Sequence, residues 1–264
     1  MISKNIKFKN FAEKSKKLLI ANHFKKLKNS YFKKKLNLLS SLSDNYKYSY
    51  NKKIIYKYKK FNNFVVTGMG GSILGTKAIY YFLNHKIKKN FFFVDNLNSR
   101  LNFKKKNFVN IIVSKSGNTL ETIANSNLLL KNKKNIFISE NTSNYLNILA
   151  KKMKHEIIEH KNYIGGRYSV LSEVGMLPAE LMGLKEIKFK KLNYLIKNKK
   201  FVNNLIGNVS SILNLVKKGK NLSILLNYDG RSENLFNWYQ QLTAESLGKK
   251  SKGILPIISK MPKD

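Results

Sequence analysis

The sequence predicts an α/β protein with two parallel-sheet units, the second incomplete, preceded by a helical N-terminal extension. Three observations carry this. From Phe61 onward, short β-branched or aromatic runs ("FVVTG", "FFFVD", "NIIVS", "NIFIS", "HEIIE") alternate with helix-like runs such as "ILGTKAIYYFL" and "TLETIANSNLLLK". Alternating βαβα order selects a parallel sheet with helices on its faces. Further on, a second alternation runs from helix-like "FVNNLIGNVSSILNLVKK" through "LSILLN" and "SENLFNWYQQLTAESL" to "GILPIIS". Before Phe61 the spacing is helical and no strand-like run occurs.

Taken in order, residues 7–43 place Phe11, Leu18, Leu19, Phe24 and Leu27 at spacings near three or four, which predicts a helical apolar face. The segment "SDNYKYSYNKKIIYKYKK" is polar and aromatic and carries no strong turn chemistry. The domain division is therefore an extension over 1–60, a first α/β unit over 61–185 and a second over 186–264. The second follows the lysine-rich connection "FKKLNYLIKNKK". Two parallel strands cannot bury both faces of a sheet, so the second unit reads as incomplete.

Composition narrows the function. With 42% hydrophobic residues in 264, the chain can bury an ordinary core. No apolar run approaches the roughly 20 residues of a membrane span. The basic N-terminus is not followed by an apolar stretch of ~7–15 residues and a small-residue cleavage site. These point to a cytoplasmic protein with no membrane partner. Zero cysteines exclude disulfides, thiolate catalysis and sulfur-based zinc sites. Of the four histidines, His155 and His160 flank "EIIEH" five apart, on opposite faces of a strand, so no metal pair is expected.

A formal charge of +37 invites a nucleic-acid reading, but all except three of the 51 basic residues (Arg100, Arg167, Arg231) are lysine. They are scattered, and Lys, Asn, Ile, Phe and Tyr all have A/T-rich codons. Coding bias accounts for that composition, and the bidentate fork used to read phosphates and bases is scarce. Non-specific polyanion stickiness at low salt is expected, with no specific nucleic-acid partner.

Three loops stand where a strand gives way to a helix, the edge at which open parallel sheets bind ligands. In "VVTGMGGSILG", Gly68, Gly70 and Gly71 allow a tight turn, and Ser72 opens a helix whose free amides favour anions. A dinucleotide fingerprint fails because position 73 is Ile73, although Asp95 is placed like a ribose ligand. A phosphate-loop reading fails because "TK" reverses the required lysine-hydroxyl order. A plain strand-to-helix turn stays open.

The second loop, "IIVSKSGNTLET", offers hydroxyls from Ser114, Ser116 and Thr119, a cation from Lys115, and Gly117 to let amides converge. A dianionic phosphate suits this set. A simple cap by Thr119 is the competing reading, yet one cap needs neither four polar groups nor a glycine. In the third, "NYIGGRYSVLSEVG", a rare arginine follows two glycines. Arg167 serves either a task requiring guanidinium geometry or an ordinary cap or ion pair.

"GMGGS", "SKSGNTLET", "IGGRYSVLS" and "WYQQLTAESLGK", in this order and at these separations, resemble the glucose-6-phosphate isomerase family from about Phe61 onward. The resemblance implies two sugar-isomerase-type (flavodoxin-like) domains with a sugar-phosphate site between them. It implies that Gly71, Ser72, Ser114, Lys115, Ser116 and Thr119 hold the phosphate of a phosphorylated hexose. Arg167 then stabilises a charged intermediate, and Glu245 is the base that moves a proton between carbons 1 and 2 through a cis-enediol(ate). A carboxylate can do both transfers, particularly when partial burial raises its pKa. No metal or organic cofactor is implied, and the complete protein is expected to be a homodimer.

Ala244 and Glu173 depart from the family's usual residues without touching that chemistry. The family's ring-opening histidine and lysine fall after a segment like "MPKD" and have no counterpart before Asp264, so the chain alone is expected to be inactive. The rival readings are a sugar-phosphate-binding module without isomerase activity and a basic nucleic-acid-binding protein.

Overall fold

The computed structural model describes residues 17–33, 35–97, 107–130, 134–190, 193–249 and 252–259. The start of the expected N-terminal helix, including Phe11, lies outside the described residues, as do Arg100, Lys250 and the "MPKD" end.

Helix α1 (Lys17–Phe32) rests against the long amphipathic α8 (Lys199–Lys217). None of its residues is buried, and Leu18, Leu19 and Leu27 of the expected apolar face are exposed. The helix does not run on to 43: a separate 3-10 turn spans Asn37–Leu42.

Residues 46–50 and α2 (Lys52–Tyr58) then join the first unit's core, which buries Tyr50, Ile55 and Tyr58. Packing therefore crosses the division expected at residue 60.

The first unit is a five-stranded parallel sheet in the order β2-β1-β3-β4-β5, built from β1 (Asn63–Thr67), β2 (Asn90–Val94), β3 (Val109–Val113), β4 (Asn135–Ser139) and β5 (Glu156–Glu159). All five expected strand runs are present. Strands β3 and β4 are buried along their whole length, as continuous apolar runs covered on both faces should be.

On one face Phe64 and Val66 pack toward α3 (Leu74–Phe82) and α6 (Glu173–Leu181). On the other, Val65, Ile112 and Phe137 meet α4 (Leu120–Leu129) and α5 (Tyr145–Lys152). Helices α2, α5, α6 and α8 start at Asn51, Asn144, Ser172 and Asn198, whose side chains accept from first-turn amides. Pro178 inside α6 has no N–H for the carbonyl of Val174 four residues earlier. Thr76 Oγ1 supplies the missing donor at 3.1 Å, which also ties α3 to α6.

Glu173 is fully buried and still satisfied. Its carboxylate accepts from the Tyr46 hydroxyl (2.9 and 3.0 Å) and from the Ser49 amide at 3.0 Å. Burial, then the neighbouring carboxylate, pushes the Tyr46 phenol upward.

His160, just past β5, is 1% exposed, with Nδ1 3.1 Å from the Lys161 carbonyl. Burial depresses its pKa below the usual 6.5. The unfolded chain therefore takes up this proton more readily, so stability is held above pH 6.5 and lost as pH falls toward the folded-state pKa. We expect unfolding free energy to drop further between pH 7.5 and 5.5 than in a His160→Gln variant. Urea titrations at the two pH values measure it, and identical slopes for the two proteins would refute it.

The second unit pairs β6 (Leu222–Leu226) in parallel with β7 (Leu255–Ser259), connected by α9 (Glu233–Leu247). A 3-10 turn over Gly230–Ser232 precedes α9, just as one over Gly70–Ser72 precedes α3. Helices α3 and α9 pack against each other and join the two units. The lysine-rich connection, residues 189–200, takes in the end of a 3-10 turn (Glu186–Lys190) and the short α7 (Asn193–Lys197).

Candidate active site

The carboxyl ends of β1 and β3 bring the first two loops side by side. A Cβ added at Gly68 would sit 2.9 Å from the carbonyl of Val113, the residue before Ser114. Gly70 has φ +51, and a Cβ there would lie 2.6 Å from Gln241 Nε2 of α9. A Cβ on Gly71 would lie 2.3 Å from the carbonyl carbon of Gly166. Ser169 Oγ spans this junction, 2.7 Å from the Gly166 carbonyl and 3.2 Å from that of Gly71. The first loop therefore touches the other three candidate segments, and glycine is what lets the backbones approach.

In the second loop Thr119 does not cap its helix. Its Oγ1 lies 2.9 Å from Ser114 Oγ, which also accepts from the Gly117 amide at 3.1 Å. The first-turn amides of α4 are left for an anion. Ser114 is buried, so its hydroxyl shapes the loop from within, whereas Ser116 is exposed. Gly117 has φ +66, and a Cβ there would fall 1.9 Å from Asn144 Oδ1. Asn144 itself is fixed by Ser139, the Glu140 carbonyl and Thr142. The Lys115 amine turns aside, donating to the Asn162 carbonyl at 2.8 Å and lying 3.3 Å from Glu140 Oε1.

Arg167 stands on a 3-10 segment, Gly166–Leu171, facing the end of α9. Its Nε donates to Ser246 Oγ at 3.0 Å, and Nη1 lies 3.5 Å from Glu245 Oε2. The guanidinium also lies over the Tyr168 ring, and Trp238 Nε1 holds the Arg167 carbonyl at 3.2 Å. Glu245 Oε1 accepts from Gln241 Nε2 at 2.7 Å, a pair one helical turn apart. The Glu245 side chain is half-buried, 48% exposed.

Gly248 follows α9 with φ −76 rather than the left-handed cap. A Cβ there would be 2.6 Å from the Ala244 carbonyl, so glycine serves close approach instead. Asp95, placed in sequence like a ribose ligand, is bound to Lys77 at 2.6 Å. His155 pairs with Asn135 and stacks on Phe137, away from this edge.

The sequence reading leaves Gln241, Ser246, Trp238 and Asn144 without assigned roles. Gln241 was detectable: a polar residue four before the acid on the same helix face. Asn144 was not, because its role depends on where β4 delivers it.

Such a site, a polar glycine loop beside an arginine-carboxylate pair, can hold an anion near a proton-transferring group. A family model described as phosphoglucose isomerase matches residues 32–254. Among curated relatives, the glucose-6-phosphate isomerase of Methanocaldococcus jannaschii is 36% identical over 231 residues, covering 79% of this chain and 57% of the relative. That of Acholeplasma laidlawii is 34% identical over 236 residues, 77% of this chain and 54% of its own. The chain thus spans about half the length of the curated relatives it matches.

A hypothetical protein of Thermus thermophilus shares the fold, with a TM-score of 0.75 at 22% identity over 94% of this chain and 66% of that one. The C-terminal domain of glucosamine-fructose-6-phosphate aminotransferase from Francisella tularensis gives a TM-score of 0.52 at 14% identity, covering 93% of this chain and 72% of its own. No helix among the described residues is long and apolar enough to cross a membrane. With the match of the family model over most of its length, this chain belongs to the phosphoglucose isomerase family.

Proposed function

We propose that this edge binds a phosphorylated hexose and, in the whole protein, interconverts glucose 6-phosphate and fructose 6-phosphate. The carrying observation is that Glu245 and Arg167 face each other across 3.5 Å while the Gly68–Ser72 stretch touches both Arg167's segment, through Gly71 and Gly166, and Val113, the residue before the Ser114–Thr119 loop. In this reading Gly71, Ser72, Ser116 and the amides of α4 hold the phosphate, Ser114 and Thr119 shape the loop, and Lys115 adds long-range positive charge.

The Glu245 carboxylate takes the proton from carbon 2 of the open-chain aldose. The C2–H electron pair forms the C1=C2 bond as the carbonyl pair moves to the carbon 1 oxygen, giving an enediolate; a proton then passes from the carbon 2 hydroxyl to that oxygen, and the Glu245 acid, whose proton exchanges with water, protonates carbon 1 to give the ketose. Arg167 offsets the oxyanion charge as it develops. Gln241 holds the carboxylate from behind. Only protons move, so the step calls for no redox cofactor. Homodimer formation is part of the same proposal for the whole protein.

The test is hydrogen exchange: fructose 6-phosphate incubated with the whole protein in heavy water should gain deuterium at carbon 1. Ser114→Ala should raise the half-saturating fructose 6-phosphate concentration about tenfold with little change at saturation, because it loosens the loop and leaves the base in place. No exchange above the protein-free rate would reject the isomerase reading in favour of a binding module.

A further inference from the structure

Lysines that are scattered along the sequence are gathered by the topology. The five strands of the first sheet are parallel, so every segment that leads into a strand arrives at the same edge. Those five segments read "KYKKFN", "HKIKKN", "FKKKN", "KNKKN" and "KKMKH", each with three lysines and no acid. Of these, Lys104 to Lys106, Lys131 and Lys133 lie outside the described residues. The segments that leave the strands form the opposite edge, which carries the candidate active site. There "TGMGGS", "DNLNS", "SKSGN", "SENTS" and "HKNYIGG" hold two lysines, Lys115 and Lys161, each paired with a glutamate. Coding bias supplies lysine but does not choose one edge of a sheet.

Helices α2, α3, α4 and α5 end at the lysine-rich edge, where a basic residue or two per helix is ordinary compensation of the helix dipole. Here the charge exceeds that. Glu156, bound to Lys57 at 2.6 Å, is the one acid among the described residues at the entrance to these strands. Burial, then the neighbouring Lys59, holds the Lys89 amine below its usual pKa, and burial, then Lys57, does the same to His155. Aromatic rings help to seat the cations: Lys134 Nζ stands 4.6 Å from the centre of the Phe61 ring and Lys59 Nζ 4.5 Å from that of Tyr56. Lys57, Lys60, Lys134 and Lys154 rim a cavity of about 210 Å3. Like charges held this closely are relieved by an anion.

We propose that this edge is a docking row for the phosphodiester backbone of a single-stranded nucleic acid, held without reading its bases. Strands set about 4.8 Å apart make a row about 19 Å long, and a repeated row of cations fits a repeated anion. Adjacent strands twist by about 20–25°, so the row curves, which a flexible single strand follows and a stiff duplex does not. Lysines are point charges without arginine's fork, which suits phosphates rather than base edges. This inference rests on the sheet topology and does not depend on the catalytic reading.

Fluorescence anisotropy of a labelled oligouridylate with the whole protein, over a range of salt, tests it. The joint substitutions Lys59→Gln, Lys60→Gln, Lys88→Gln and Lys154→Gln, all at exposed positions, should weaken binding at least about tenfold and lessen the slope of log Kd against log salt by about two to three. A control with the same loss of charge on and just after α1, Lys25→Gln, Lys26→Gln, Lys33→Gln and Lys35→Gln, should change affinity less than about threefold. Arginine at the same four edge positions should restore both affinity and slope, which separates lost contacts from a lost fold, as should urea midpoints that match the parent's.

Equal weakening by the two glutamine sets would reduce the binding to the overall charge of +37 and overturn the proposal. So would tighter binding, at moderate salt, of a duplex of the same length or of polyglutamate than of the oligouridylate.

Discussion

In the whole protein, Glu245→Gln should lower deuterium uptake by fructose 6-phosphate at least about a thousandfold while changing its affinity less than about threefold. The substitution keeps the side chain's length and leaves an amide oxygen to accept from Gln241 Nε2, so α9 and its contact with the Gly70 turn are retained. What goes is the lone pair able to take the proton. Phosphate is held elsewhere, by the Ser114–Thr119 loop and the Gly71–Ser72 turn, so binding should survive. Isothermal titration beside the exchange assay separates the two effects. An undiminished exchange rate would remove Glu245 from the role of base.

Gly71→Ala should have the larger structural effect. Its methyl group would stand 2.3 Å from the Gly166 carbonyl carbon and 2.6 Å from the Arg167 amide nitrogen, both backbone atoms with no rotamer by which to yield. Relief requires the two segments to separate, which strains the paired Ser169 contacts and draws Arg167 away from Ser246 and Glu245. We expect a destabilisation of about 3 kcal/mol and loss of measurable phosphosugar binding. Urea denaturation and titration of the variant check both. A stable protein of unaltered affinity would show that the close approach of these backbones is not what assembles the site.

The parallel-sheet elements were legible because each strand is a short apolar run bounded by polar or glycine residues. "NIIVS" and "NIFIS" announce strands buried on both faces from sequence alone. The helices α5 and α7 were less legible: α7 has five residues and sits in a lysine-rich run, and α5 depends on the Asn144 cap. The role of residues 46–58 was hidden for another reason. Tyr46 and Tyr50 look like exposed polar aromatics until α6 presents Glu173 and Glu180 to their hydroxyls, more than 120 residues away in sequence.

At the site, the residue types were readable and several of their tasks were not. A hydroxyl, a lysine and a glycine after a strand point to an anion. Only the fold shows that Ser114 bonds inward, that the Lys115 amine is committed to Glu140 and Asn162, and that Gln241 backs Glu245.

Everything proposed for catalysis requires that the loops after β1 and β3, the Arg167 segment and the end of α9 form one phosphosugar site. The decisive experiment is titration of the isotopically labelled chain with fructose 6-phosphate, followed by backbone amide resonances at moderate salt. Gly71, Ser72, Ser116, Gly117, Arg167 and Glu245 should shift together along a single saturation curve, with inorganic phosphate competing for the first four. Shifts spread over surface lysines and lost as salt is raised, with these six residues unmoved, would contradict a single shared site.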